Sequence, residues 1–141
     1  MTAQTLGADA QITLSVAWGD ADGDGDLDLA VGNDGVNDLL INDGTGSFTR
    51  VPLGVESEET RTVAWGDIDG DGDLDLAVGN GRSEQNRLYL NEGNGNWTTE
   101  QIGSEENVTN GVSWGDADLD GGLDLAVASN PAMLLLSLIH I

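Results

Sequence analysis

The chain contains no cysteine, which excludes disulfides, thiolate metal sites and thiol catalysis. Basic residues are scarce: four arginines, Arg50, Arg61, Arg82 and Arg87, stand against 26 acidic residues, for a formal net charge of -22. They form no run, and a surface this acidic repels nucleic-acid phosphate and anionic membranes, so neither is expected as a partner. Histidine occurs once, at His140, and a Ser-His-Asp site has no support. No segment repeats apolar residues with a capped helical period, so no helix is expected. The longest apolar stretch, 132–141, is shorter than the roughly 20 residues that span a bilayer. Residues 1–10 are polar and lack the apolar core of a secretory leader. Either the chain is cytosolic or it is an internal piece of a longer secreted protein.

What is present is a repeat. Val-Ala-Trp-Gly-Asp at 16–20 recurs at 63–67, and Val-Ser-Trp-Gly-Asp follows at 112–116, at spacings of 47 and 49 residues. Leu-Asp-Leu-Ala-Val follows each at 27–31, 74–78 and 123–127. A later landmark, Leu-Leu-Ile-Asn-Asp-Gly-Thr-Gly-Ser-Phe at 39–48, matches Leu-Tyr-Leu-Asn-Glu-Gly-Asn-Gly-Asn-Trp at 88–97. Within the first unit, 14–18, 27–31, 39–41 and 47–53 read as short strands, broken by the turn signals at 33–35 and 43–46. Four strands in about 47 residues is the size of one β-propeller blade. The expected architecture is therefore all-β, a partial β-propeller of four-stranded blades with about two and a half repeats. Residues 12–58 form the first repeat, 59–107 the second and 108–130 the first half of a third. Residues 131–141 are an atypical tail in which the repeat text is lost. Two readings of it stay open: a translated remnant of sequencing-adapter DNA, and a genuine apolar final strand that seals the array.

The acidic residues concentrate in three loops, which hold fourteen of the 26. Numbered from one, the first loop places carboxylates at positions one, three, five, seven and nine: Asp20, Asp22, Asp24, Asp26 and Asp28. The second repeats this with Asp67, Asp69, Asp71, Asp73 and Asp75, and the third with Asp116, Asp118, Asp120 and Asp124 but Gly122 at position seven. Alternate carboxylates on a tight turn converge. Calcium takes six to eight oxygen ligands at about 2.3–2.6 Å in flexible geometry, so convergent aspartates suit it. Glycine at position six permits the backbone reversal. The glycine at position seven of the third loop fits a backbone carbonyl ligand there, as in other turning calcium loops. One calcium per loop, up to three in all, is expected. Magnesium suits the loops less, because it demands octahedral geometry and keeps several waters. Without a cation the carboxylates repel one another and some pKa values rise.

An EF-hand would need glutamate at position twelve, where this chain has Val31, Val78 and Val127. A nonapeptide β-helix has far too short a period. Asp-Gly turn chemistry alone explains neighbours, not alternation kept three times. Together the Asp-x-Asp-x-Asp-Gly-x-x-Asp loops, the Leu-Ala-Val that follows and the motif at 88–97 resemble the FG-GAP/VCBS repeat family, across nearly all of 12–129. That family includes the integrin α-subunit propeller and many bacterial surface and secreted proteins. The resemblance implies four-stranded blades, calcium in a hairpin loop of each blade, and positions one, three, five, seven and nine as ligands. It also implies an extracellular or cell-surface location.

Trp18, Trp65 and Trp114 each precede a loop by two residues. They read as packing between neighbouring repeats rather than as sugar-stacking platforms, and Phe48 and Trp97 as core. A glycosidase pair is not indicated, since bound calcium would hold these carboxylates ionised and no acid has a separate environment. The chain is expected to be no enzyme. The functional expectation is a calcium-binding repeat module, an extracellular adhesion or ligand-binding scaffold whose partner is a protein or glycan. The alternative is an accessory propeller region of a larger secreted enzyme.

Overall fold

A computed structural model of the protein describes residues 11–103 and 107–130 and the backbone of 133–136. Its elements are all strands: β1 (Ile12–Gly19), β2 (Asp28–Asn42), β3 (Phe48–Gly66), β4 (Asp75–Asn80), β5 (Asn86–Asn91), β6 (Trp97–Ile102), β7 (Val108–Gly115), β8 (Asp124–Asn130) and β9 (Met133–Leu136). β1 to β6 pair in chain order in one six-stranded sheet, and β7 to β9 in a second of three. Every pairing is antiparallel. Among the described residues no helix is long and apolar enough to cross a membrane.

The two longest strands are composite. Laid out straight, the 15 residues of β2 would extend about 45 Å. Yet the Asn42 amide donates to Asp28 Oδ1 at 2.8 Å, so the two ends lie side by side and β2 doubles back. Gly35 stands near the reversal with φ 138°, in the region that favours glycine. The second unit takes the same path in two separate strands, β4 and β5, where the Asn91 amide donates to Asp75 Oδ1 at 2.9 Å. β3 likewise serves two partners. Its residues 48–53 pair with the end of β2, and 60–66 pair with β4. Each of the first two units thus supplies four antiparallel segments.

Successive units pack face to face through apolar side chains. Ala30 and Leu53 of the first unit share a buried cluster with Val63, Leu76, Val78 and Tyr89 of the second. Ile68, Ala77, Leu88 and Leu90 of the second share one with Leu125 and Val127 of the third. The tryptophans lock these faces. Trp65 Nε1 donates to the Ala17 carbonyl at 3.1 Å, and Trp114 Nε1 donates to the Ala64 carbonyl at 3.1 Å. Trp18 differs: it is 56% exposed and touches Phe48 instead, with ring centroids 6.3 Å apart. The packing expected of all three tryptophans holds for two of them, because Trp18 has no described unit in front of it.

Arginine ties the units along another edge. Arg82 grips Asp34 with both terminal nitrogens, at 2.8 and 2.6 Å. Arg87 holds Glu58 in the same bidentate way, at 2.7 and 2.6 Å, in a less exposed setting.

Candidate metal centre

The three aspartate loops join β1 to β2, β3 to β4 and β7 to β8. Each is closed by its own side chains in the same pattern. The position-three carboxylate accepts the amide of position five: Asp22 from Asp24 at 3.2 Å, Asp69 from Asp71 at 3.2 Å, Asp118 from Asp120 at 3.1 Å. Position five accepts the amide of position seven, at 2.9 Å in every loop. Position one accepts the amide of position six: Asp20 from Gly25, Asp67 from Gly72, Asp116 from Gly121. Those three glycines sit at φ 95°, 99° and 97°, so the glycine expected at position six does turn the backbone.

Position nine has a second task. Asp28 is fully buried, with Oδ2 accepting the Ala21 amide at 2.8 Å and Oδ1 accepting that of Asn42. Asp75 takes the Ile68 and Asn91 amides at 2.8 and 2.9 Å, and Asp124 takes the Ala117 amide at 2.8 Å. This carboxylate anchors its loop to the sheet. The strand-like pattern around Leu-Asp-Leu gave no sign of that.

Three carboxylates in each loop bring an oxygen within 4.8 Å of one another: Asp20, Asp22 and Asp28; Asp67, Asp69 and Asp71; Asp116, Asp118 and Asp124. Asp24 and Asp120 border these groups through their amides' bonds to Asp22 and Asp118, and Asp75 lies near enough to Asp69 and Asp71 to feel their charge. Position seven stands apart. The Asp26 carboxylate lies against Gly44 of the next turn, where a Cβ would collide with its Oδ2. A Cβ on Gly93 would stand 3.1 Å from Asp73 Oδ2. Gly122 has no side chain to place.

The electrostatics are those of crowded carboxylates. Burial, then the neighbouring charges of Asp28, Asp24 and Asp20, raise the Asp22 pKa above its ordinary 3.8. Asp69 is raised by burial and by Asp71 and Asp67, and Asp75 by burial and by Asp69 and Asp71. Asp20 Oδ1 and Asp116 Oδ1 are buried and lack any hydrogen-bond partner. A buried carboxylate oxygen without a donor is costly unless something else satisfies it.

Beside the first two loops lies an open cleft of about 520 Å³, lined by Asp22, Asp73, Asn91, Asn94, Ile41 and Trp97 among others. Against known proteins, the FG-GAP-like repeat matches the chain twice, over residues 20–78 and 67–127. No curated protein matches it significantly.

Proposed function

The chain belongs to the FG-GAP-like repeat family, and on that premise we propose that it is a calcium-binding module whose units are blades of a β-propeller. The carrying observation is the pair of buried, donorless oxygens on Asp20 and Asp116, each within a group of three converging carboxylates. The donor set is all oxygen, the chemistry that hard cations take. Asp20, Asp22 and Asp28 would hold one ion, Asp67, Asp69 and Asp71 a second, and Asp116, Asp118 and Asp124 a third. Asp24, Asp75 and Asp120 complete the carboxylates at hand. At positions 26, 73 and 122 the backbone carbonyl is the proposed ligand, consistent with side chains that point elsewhere or are absent. A bound divalent ion would offset both the desolvation and the neighbouring charges that raise Asp22 and Asp69.

The role is that of a scaffold rather than a catalyst. Calcium fixes each loop to its sheet, and the surface so stiffened recognises a protein or glycan outside the cell. Extracellular modules of this kind hold calcium at about 10⁻⁴–10⁻³ M, matched to millimolar external calcium.

Titration calorimetry and thermal melting test the reading. Three equivalents of calcium should bind, and melting should rise with free calcium, by about 2.7 kcal/mol of stability at a hundredfold excess over Kd. A melting temperature unmoved by EDTA would overturn it.

A further inference from the structure

The cleft beside the first two loops is walled by both units. Its walls are braced across the junction: Asn91 of the second unit donates its side-chain amide to the Ala21 carbonyl of the first at 2.8 Å, and both residues are buried. The apolar lining comes from Ile41 and Val51 of the first unit and Trp97 of the second. Trp97 packs against the buried cluster that includes Tyr89, with the Trp65 ring centroid 6.2 Å away, so its ring is held in place. At about 520 Å³ the cleft falls within the roughly 300–1,000 Å³ of preformed small-molecule sites.

Three polar side chains complete this lining: Asp22, Asp73 and Asn94. Asp22 belongs to the converging group of the first loop, whereas Asp73 and Asn94 belong to none. Neither the Asp73 nor the Asn94 side chain hydrogen-bonds to another described residue. Asn94 lies in the turn between β5 and β6, where Gly93, Asn94 and Gly95 run at φ 73°, 54° and 76°. The Asn96 amide closes that turn onto the Gly93 carbonyl at 3.1 Å. A left-handed residue other than glycine carries strain, and such strain gathers at binding sites. The first unit has Thr45 at the matching position, and its hydroxyl and amide are both tied to Asp43. The side chain spent inside its own turn in one unit is thus unspent beside the cleft in the other.

We propose that this cleft binds a neutral saccharide, with Trp97 and Val51 against the C–H face of a sugar ring and Asp73 and Asn94 bonded to its hydroxyls. The proposal rests on the reading of the chain as a scaffold that recognises glycans, and it names the site and the class. A hydroxyl both donates and accepts. The Asp73 carboxylate accepts and the Asn94 amide does both, so the pair matches neighbouring hydroxyls. An anionic ligand would meet Asp22, Asp73 and a net charge of -22. A cation would satisfy Asp73 but leave the Asn94 N–H groups without an acceptor. A wholly apolar ligand would strip water from Asp73 and return no hydrogen bond.

Calorimetric titration in excess calcium tests this, with neutral trisaccharides of glucose, galactose, mannose and N-acetylglucosamine as probes. At least one should bind, and more tightly than trigalacturonate or trilysine. Asn94→Gly should weaken that binding about tenfold and leave calcium binding as in wild type, because glycine adopts the same φ freely. Asp73→Ala should weaken saccharide binding by about the same factor. Trp97→Ala should abolish it. Trp97→Phe, which places the residue of the first unit's Phe48 at the matching position, should keep part of it and guards against a mere failure to fold. Binding of none of the neutral saccharides overturns the proposal. So does binding that Asn94→Gly and Asp73→Ala leave unchanged, or tighter binding of trilysine. Calcium titration of the same samples separates the two readings. Ions bound without any saccharide sink the cleft alone, and saccharide bound without ions sinks the calcium reading alone.

Discussion

Trp65 lies where a side chain on Gly19 would have to go. A Cβ at Gly19 would stand 2.8 Å from Trp65 Cδ1, and the indole N–H reaches past it to the Ala17 carbonyl at 3.1 Å. Gly19→Ala is therefore expected to overpack the interface and to cost about 1–3 kcal/mol in urea unfolding. Gly115→Ala, the same change at the same repeat position, should fall within about 0.5 kcal/mol of wild type, because nothing lies within 4 Å. Equal costs at the two sites would show that the tryptophan is not what forbids a side chain.

Position four of the third loop carries the wrong residue for its backbone. Gly23 and Gly70 sit there at φ 74° and 75°, and Leu119 adopts φ 64° in their place, 86% exposed. A left-handed leucine costs about 1 kcal/mol or more, and its exposed side chain recovers little. Leu119→Gly should raise stability by up to about 1 kcal/mol and strengthen calcium binding at the third loop relative to the other two. Loss of stability in the variant would count against the strain.

Asp75 and Asp71 separate anchoring from ion binding. Both stand in the second loop, but Asp75 is fully buried and satisfies the Ile68 and Asn91 amides. Asp71 is exposed and belongs to the group of converging oxygens. In saturating calcium, Asp71→Ala should lose one bound ion. Asp75→Ala should lose the ion and also strand two buried donors, each worth about 1–3 kcal/mol, and so melt well below Asp71→Ala. Matching melting temperatures would refute the anchoring role.

Stability should respond to pH in opposite directions with and without calcium. In the metal-free protein Asp22, Asp69 and Asp75 have pKa values raised above 3.8, so the folded state binds protons more tightly than the unfolded one. Their contribution is full below 3.8 and is lost as pH rises through the raised values. With calcium the ligands must be deprotonated, so acidification removes the ion and stability falls as pH drops. Melting curves from pH 3 to 7, in EDTA and in excess calcium, should slope oppositely; parallel slopes would contradict this.

Much of this was legible in the sequence. Repeated text fixed the period, and alternate aspartates marked the loops. Tryptophan before each loop pointed to packing between units, which Trp65 and Trp114 fulfil. The rest depended on partners distant in sequence. Gly122 at position seven reads as a sign of a backbone ligand. Asp26 and Asp73, however, lean on Gly44 and Gly93 of the following turn, so the identity of position seven also depends on that turn. The reversal inside β2 was visible as the turn signal at 33–35, but the bond from Asn42 to Asp28 that holds it shut was not. The exposure of Trp18 was not legible either, because its text is identical to that of Trp65 and only the absence of a described neighbouring unit distinguishes them.

Asn91 joins two loops that are 47 residues apart. Its amide donates to Asp75, and its side chain donates to the Ala21 carbonyl at 2.8 Å, while the Ala21 amide donates to Asp28. An ion that orders Asp75 therefore acts on the same peptide that frames Asp28, and linkage makes the influence mutual. The first two ions would then bind as a coupled pair, each changing the affinity of the other by the same factor.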